Sequence, residues 1–268
     1  MDRAPILQGK RAVVFGAGGS IGAAVSKEFA VEGAEVFLSG RTRSSVEEVA
    51  REITGTGGRA HVAVVDALDD VAVNDYIAGV AKQGGAIDIV LNATGPQAKD
   101  YGNAKSAVEL TIEEFMLPAT TVLKSQFITA RAATRHMAEQ HSGVIIFVTG
   151  SPARGHVPGA TAIGAAFGAI ECLTENLAIE VGPLGIRVVC VRTLANADSR
   201  SIQHTTEFVA GRMNITQEQA IAQIADSNFL KRLAGVRDTA RAAVLVASDN
   251  ARMMTGTVVN ATAGAALD

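Results

Sequence analysis

The stretch AVVFGAGGSIGAAVSKEFAVEGAEVFLSG, residues 12–40, runs from an apolar segment through a glycine cluster into a helical pattern and then into a second apolar segment. A strand, a tight turn and a helix in this order let backbone N–H groups and the positive helix end meet a pyrophosphate. The turn residues that predict such a dinucleotide site are Gly16, Gly18, Gly19, Ser20 and Gly22. The alternative is an ordinary strand-to-helix turn, which also favours glycine.

Similar apolar runs recur along the rest of the chain and alternate with segments of helical period. The seven predicted strands are AVVFGA, AEVFLSG, HVAVVDA, IDIVLNA, GVIIFVTG, IRVVCVR and GTVVNAT. Because the runs are continuous rather than alternating, we expect strands buried on both faces of a parallel sheet. The pattern predicts one doubly wound α/β domain of Rossmann type over residues 1–268. A polar segment at 193–229 is longer than a normal connection and predicts a lid or substrate loop with one or two short helices.

Composition excludes several classes of function. The formal net charge is −3 and the 24 Lys and Arg residues are scattered, so nucleic acid is not an expected partner. We expect no run of the roughly 20 apolar residues that span a bilayer, and no signal peptide in MDRAPILQGK, so the predicted location is cytoplasmic. The histidines lack metal-ligand spacing, so no metal site is expected. Cys172 and Cys190 fall in apolar segments and are predicted to be reduced core thiols.

The end of the second predicted strand indicates which dinucleotide is bound. An acidic residue roughly 20 positions beyond the glycine turn would bind the ribose 2′-hydroxyl of NAD. Arg41 and Arg43 occupy this region instead, and a guanidinium fork suits a 2′-phosphate. The sequence therefore favours NADP(H) over NAD(H); the alternative is a solvated basic loop.

Several motifs in order resemble the short-chain dehydrogenase/reductase family over nearly the whole chain: VVFGAGGSIG, VVDAL, IDIVLNATG, GVIIFVTGSPARGHVP and LTENLAIEVGPLGIRV. The resemblance implies a Rossmann core, a small-molecule substrate and a homotetramer or homodimer joined through the fifth and sixth helices. It also implies cofactor contacts from Gly16, Ile21, Gly22, Arg41, Asp66, Ala67, Asn92 and Gly95. Phe15 and Ser20 depart from the family's glycine-loop pattern, which would have Thr and Gly there.

The same alignment indicates that the family's catalytic residues are replaced. Where the family has Asn, Ser, Tyr and Lys, this chain has Val122, Gly150, Ile163 and Phe167. In the family the Tyr exchanges the carbonyl proton and the Lys lowers its pKa. Positions 163 and 167 share one helix face, so the replacements predict an apolar wall with no ionisable group on that stripe.

Three residues are candidates for the missing proton donor: Tyr101 in a loop bordering the predicted pocket, with Lys99 and Lys105 nearby; Ser151 beside the lost Ser; and His156, whose ordinary pKa suits proton transfer. Their alternatives are a surface aromatic, a turn residue and a solvent-exposed loop residue. Tyr76 is predicted to be a packing residue. Arg192, Thr193, Asn196 and Asp198 either bind a polar or anionic substrate or, in the case of Arg192 and Asp198, pair with each other.

Two hypotheses follow. The first is an NADPH-dependent reductase of an activated C=C, C=N or carbonyl group in a small apolar metabolite. The second is a non-redox lyase or isomerase, or a catalytically silent binding protein, on the same fold.

Overall fold

The computed structural model describes residues 4–155, 157–194, 196, 198–199, 202–203, 206–207, 210–211 and 214–268. A seven-stranded parallel sheet organises this part of the chain, in the order β3-β2-β1-β4-β5-β6-β7. The strands are β1 (Arg11–Phe15), β2 (Glu35–Gly40), β3 (Arg59–Val64), β4 (Ile89–Asn92), β5 (Gly143–Gly150), β6 (Ile186–Thr193) and β7 (Thr257–Ala261). The predicted Rossmann-type fold is therefore confirmed.

Helices connect the strands and cover both faces of the sheet, because a parallel strand can be reached only through a crossover. They include α1 (Ser20–Val31), α2 (Arg43–Gly55), α3 (Asp70–Lys82), α4 (Ile112–Pro118), α5 (Lys124–Glu139), α6 (Thr161–Val181), α7 (Gln217–Ser227) and α8 (Val236–Ala247). Local sequence sets several of their starts. The Asp69 carboxylate accepts the N–H groups of Val71 and Ala72 at 3.0 and 3.1 Å, which caps α3.

Alternate side chains of each central strand enter two separate cores. Val13 and Phe15 of β1 belong to the core between the sheet and α3, α5 and α6. Ala12 and Val14 belong to the core on the opposite face, beneath α1, α2 and α8. This two-residue period follows from the pleat of the strand. Both faces of the central sheet are therefore buried, as the continuous apolar runs predict.

The edge strand β3 is not buried on both faces. Strand β3 ends at Val64 rather than continuing to residue 67, and Arg59, His61 and Val64 on it are exposed. An edge strand has a neighbour on one side only, so its outer residues face solvent. The prediction of burial on both faces is wrong for β3, although its apolar sequence resembles that of the central strands.

One expectation based on apolar sequence also needs correction. Cys190 is buried on β6, but Cys172 is exposed on α6, because the 3.6-residue period turns it away from the sheet. The helical segment Thr161–Leu184 contains an 18-residue window with a mean hydropathy of 1.3, and by length and composition alone it could cross a membrane. It is not an unbroken apolar run, because it contains Glu171, Glu175 and Glu180. In this fold α6 packs against β5 and β6, as the core helix of a sheet does.

Candidate active site

Two adjoining hollows lie at the carboxyl ends of the strands, where β1 and β4 are neighbours and the strand order reverses. The first, of about 240 Å³, is named here the glycine cleft. Its lining residues are Gly16, Gly18, Gly19, Gly40, Arg41, Thr42, Ser45, Val46, Val65, Asp66, Ala67, Ala93, Thr94 and Gly95. The second, of about 280 Å³, is named the apolar pocket. Ala93, Thr94 and Gly95 line both hollows, so the two lie side by side along this shared wall.

The glycine cleft depends on backbone that approaches other backbone closely. Gly16 has a φ of +72°, and a Cβ built on it would lie 2.9 Å from Thr94 N. A Cβ on Gly22 would lie 2.2 Å from Gly16 O. Helix α1 begins at Ser20 with no acidic residue in its first turn, so its positive end is not neutralised there. This geometry fits a pyrophosphate.

The two arginines predicted for a 2′-phosphate are separated by the start of α2. Arg41 is exposed, lines the glycine cleft, and forms no hydrogen bond or ion pair with another described residue. Arg43 is the first residue of α2, and its guanidinium lies 3.3 Å from the Glu47 carboxylate. Arg43 is not among the residues that line the cleft. Only one of the two predicted cations is therefore directed to it.

The remaining predicted cofactor residues fall at the same edge of the sheet. Asp66 and Ala67 line the glycine cleft beyond the end of β3, while Ile21 and Asn92 line the apolar pocket. Asn92 is buried and shapes the shared wall, because its side-chain oxygen accepts the Thr94 N–H at 2.8 Å. Ser20 and Gly22 belong to the first turn of α1 and do not line either hollow.

The apolar pocket contains all four positions that the family resemblance assigns to catalysis: Val122, Gly150, Ile163 and Phe167. Val122 lies in a π-helical turn, Ala119–Leu123, between α4 and α5. The Phe167 ring packs against Gly150, since a Cβ built on Gly150 would lie 3.0 Å from Phe167 Cε2. Further apolar lining comes from Ile21, Pro96, Val148, Pro152, Val157, Leu194 and Ile202.

Both tyrosines are largely buried, but only Tyr101 lines the apolar pocket. Tyr101 lines the pocket with 7% of its surface exposed, so the alternative of a surface aromatic is wrong. Its burial raises the pKa of the hydroxyl to about 12. The hydroxyl forms no hydrogen bond with another described residue. Tyr76 instead packs edge-on against Phe15 with ring centroids 5.7 Å apart, which confirms its predicted packing role.

The other candidates near Tyr101 separate in space. Ser151 is buried, lines the apolar pocket, and its hydroxyl also forms no hydrogen bond with a described residue. Lys105 donates to the Glu114 carboxylate at 2.6 Å, and neither Lys105 nor Lys99 lines the pocket. His156 lies outside the described residues.

A buried carboxylate behind the pocket was missed by the sequence analysis. Glu171 follows Phe167 by one helical turn, so the statement that no ionisable group remains on that stripe is wrong. Its oxygens accept hydrogen bonds from Arg192 at 2.7 and 2.9 Å and from the Thr149 hydroxyl at 3.1 Å. An acidic residue within the otherwise apolar AIECLT was the available signal.

Arg192 is therefore not paired with Asp198. It is 1% exposed and pairs with Glu171 and Asp268, and hydrogen bonding to Glu171 raises its pKa. Asp198 instead accepts the Val236 N–H at 2.8 Å. Arg192 does not line the pocket, whereas its neighbours Thr193 and Asn196 do.

A second residue that the sequence analysis did not single out lies in the pocket wall. Gln126 is buried, and its amide nitrogen donates to Asn92 O at 3.0 Å. Its amide oxygen has no hydrogen-bond partner in the described part of the chain. Across those same residues, no group of three His, Cys, Asp or Glu side chains is placed to hold a metal ion.

Comparison with known proteins identifies the family. The family model described as enoyl-(acyl carrier protein) reductase, within the short-chain dehydrogenases/reductases, matches residues 16–266. The chain belongs to the short-chain dehydrogenase/reductase family. Versicolorin reductase 1 of Aspergillus parasiticus is 30% identical over 97% of this chain and 97% of its own. A peroxisomal 2,4-dienoyl-CoA reductase of Saccharomyces cerevisiae is 29% identical over 96% of this chain and 84% of its own.

A solved short-chain dehydrogenase/reductase structure agrees with the fold. A putative NAD(P)-dependent gluconate 5-dehydrogenase from Beutenbergia cavernae, with NADP bound, is 26% identical, with a TM-score of 0.84 over 98% of both chains. These relatives are reductases and dehydrogenases, which supports the oxidoreductase class for this chain.

Proposed function

We propose that this protein is an NADP(H)-dependent reductase of a C=C bond conjugated to a carbonyl group in a small, uncharged molecule. The observation that carries the proposal is that the glycine cleft and the apolar pocket adjoin along Ala93, Thr94 and Gly95. The described lining of the pocket contains one titratable side chain, Tyr101, and no charged one. A nicotinamide dinucleotide supplies hydride when bound.

The cleft has the features that a dinucleotide requires. Gly16 and Gly22 leave no space for a side chain, so backbone N–H groups can approach a pyrophosphate at the positive end of α1. Arg41 is available for a 2′-phosphate because it has no partner among the described residues, and Thr42 and Ser45 line the cleft beside it. A guanidinium and two hydroxyl groups at this place support binding of NADP(H) over NAD(H).

The apolar wall favours reduction of a conjugated C=C bond over reduction of an isolated carbonyl. Hydride addition to an isolated carbonyl leaves an alkoxide, a strong base that needs an acid at the position of Ile163. Hydride addition to the β-carbon of an enoyl group leaves a delocalised enolate, which is a weaker base and can take its proton from water. The family description and the dienoyl-CoA reductase relative both name substrates with an enoyl or dienoyl group, although there the group is carried by an acyl carrier protein or by CoA.

Two side chains of the pocket can stabilise the negative oxygen of such an enolate. The Tyr101 hydroxyl, with its pKa raised to about 12, stays protonated at neutral pH and can donate a hydrogen bond. The Ser151 hydroxyl is a second donor without a partner among the described residues. Donors directed at developing charge in a site with little water are the main source of stabilisation in many enzymes.

We also propose a homodimer or homotetramer joined through α5 and α6, as the family resemblance implies. Small residues on α6 such as Gly164 could allow two helices to approach closely across such a contact, but packing within the monomer also accounts for Gly164. A Cβ on Gly164 would lie 2.9 Å from Pro152 O, so its small size is explained by packing within the monomer. The cytoplasmic location and the substrate-loop role of 193–229 stay predictions; Thr193, Leu194, Asn196, Ser199 and Ile202 from that segment line the pocket.

The first experiment is a calorimetric titration of the purified protein with NADPH, NADH and NADP+. We expect micromolar binding of NADPH. Arg41→Ala should weaken NADPH binding by about tenfold without changing NADH binding, the effect of losing one charge-assisted contact. Arg43→Ala is the matched control, because that guanidinium pairs with Glu47 and should leave both affinities unchanged.

The second experiment measures NADPH oxidation with a crotonyl thioester and an acetoacetyl thioester. Faster oxidation with the crotonyl thioester supports C=C reduction, and oxidation with the acetoacetyl compound alone contradicts it. No binding of any nucleotide at millimolar concentration would overturn the oxidoreductase assignment. Binding without oxidation by any conjugated substrate would favour the alternatives: a lyase, an isomerase or a silent binding protein.

A further inference from the structure

Gly150 and Phe167 form a packed pair in the wall of the apolar pocket. Gly150 has φ and ψ of −129° and 167°, which is extended backbone that any residue adopts. Backbone conformation therefore does not require glycine at this position. The nearest atoms to a Cβ built there are Phe167 Cε2 at 3.0 Å and Pro152 Cδ at 3.3 Å. It is the Phe167 ring, seated against the main chain, that fills the space in which a side chain would lie.

The position of α6 limits where that ring can move. Gly164, on the same helix, lies so close to Pro152 O that a Cβ would approach it to 2.9 Å. Ile163, one turn before Phe167, is 6% exposed and also lines the pocket. The helix is thus tightly packed on the turn Ser151–Ala153, and the ring cannot retreat towards Gly150. The wall of the pocket here is a closely packed apolar surface made by Phe167, Ile163 and Pro152.

The chemistry of the pocket indicates what this surface contacts. The cavity of about 280 Å³ would hold the nicotinamide as well as the substrate, because the predicted cofactor residues Ile21, Asn92 and Gly95 line it. An aromatic ring in the ligand can stack on, or meet edge-on, the Phe167 ring and gain contact area. No charged side chain of the described lining would attract a carboxylate or a phosphate.

We propose that Phe167, seated on Gly150, is the specificity-determining residue of the apolar pocket and selects a flat, uncharged substrate with an aromatic or extended conjugated group. This inference rests on the proposed function, since it names the substrate class for the same site. It does not assign a chemical step to Phe167.

The test is binding of cinnamamide and crotonamide to the NADP+ complex, measured by calorimetry. Both amides are neutral and conjugated, and they differ in the phenyl group. The wild-type complex should bind cinnamamide about tenfold more tightly, the difference expected from one aromatic contact and its buried area. Phe167→Leu should reduce that preference to about twofold or less. Phe115→Leu is the matched control, because Phe115 lies on α4 outside the pocket and is 38% exposed.

A double-mutant cycle tests the pairing itself. Gly150→Ala should push the ring into the pocket and weaken cinnamamide binding by about fivefold or more, whereas adding Phe167→Leu should recover much of that loss. Thermal unfolding of each variant verifies that it is folded, and Phe167→Leu alone carries the test if Gly150→Ala does not fold. Additive effects of the two substitutions would overturn the pairing. An unchanged preference in Phe167→Leu, or binding of neither amide by the wild type, would overturn the inference.

The result is separable from the proposed reaction. If the expected binding pattern appears but no conjugated substrate oxidises NADPH, the specificity role stands and the reductase function fails. If a crotonyl thioester oxidises NADPH but the Phe167 variant keeps its ligand preference, the function stands and the specificity role fails.

Discussion

The glycine cleft and the apolar pocket share a wall at Ala93–Gly95, yet they are built in different ways. The cleft is shaped by backbone, because side chains are excluded at Gly16 and Gly22. The pocket is shaped by side chains, among which Phe167 fills the space in front of Gly150. A site made from backbone tolerates few substitutions, whereas a site made from side chains can change its chemistry on an unchanged fold.

We expect the largest effect from a substitution that disturbs the backbone of the glycine cleft. In Gly22→Ala the new Cβ would lie 2.2 Å from Gly16 O, so the turn must shift. We expect NADPH binding at least about 100-fold weaker and a free energy of unfolding lower by about 3 kcal/mol. Calorimetry and urea unfolding measure the two quantities. Wild-type affinity in this variant would show that the turn does not hold the dinucleotide.

Gly79→Ala is the matched control for that substitution. Gly79 lies inside α3, and a Cβ there would meet no atom within 4 Å. The free energy of unfolding should rise by about 0.5–1 kcal/mol, because alanine has less conformational freedom to lose in a helix. NADPH affinity should not change.

Glu171→Gln tests the buried ion pair between Glu171 and Arg192 behind the pocket. Arg192 is buried and would lose its main charge partner, although Asp268 would remain beside it. We expect the free energy of unfolding to fall by about 3 kcal/mol, the lower end for breaking a buried ion pair. Glu175→Gln on the exposed side of α6 should have almost no effect. Equal urea midpoints for the two variants would contradict this account of the buried pair.

The polar side of the pocket is tested by Tyr101→Phe. Loss of a hydrogen-bond donor to the enolate oxygen should lower kcat for the crotonyl thioester by about 100-fold, with NADPH affinity unchanged. Tyr76→Phe removes the other tyrosine hydroxyl, which is buried without a partner among the described residues, and should leave kcat unchanged. A full rate in Tyr101→Phe would exclude the hydroxyl from the reaction.

The smallest expected effect is on stability at alkaline pH. Burial raises the pKa of Tyr101 to about 12, against about 10 in the unfolded chain. The folded protein therefore holds this proton more tightly, and the stability it contributes is present below pH 10 and is lost between about pH 10 and 12. At pH 11 the loss is about 1.4 kcal/mol. Tyr101→Phe should lose less stability between pH 9 and 11 than the wild type; parallel curves would contradict the raised pKa.

Much of the cleft could be predicted from local sequence, and less of the pocket. Gly16, Arg41 and Asp66 follow strands that the apolar runs reveal, so their common edge follows from the fold class. The burial of Tyr101 could not be predicted in this way, because it depends on how the loop after β4 folds back over the pocket. Similarly, Arg43 differs from Arg41 by two positions, and the start of α2 turns it towards Glu47.

The sequence by itself determined the alternation of strands and helices, the parallel sheet and the glycine turn, because residue periodicity and glycine spacing act over a few neighbouring positions. The tertiary structure alone decided that Arg192 pairs with Glu171 and that Phe167 rests on Gly150. These contacts join β6 to α6 and α6 to the end of β5, segments that are apart in sequence. They depend on strand register and on which helix face meets the sheet, and both are settled only when the whole core packs.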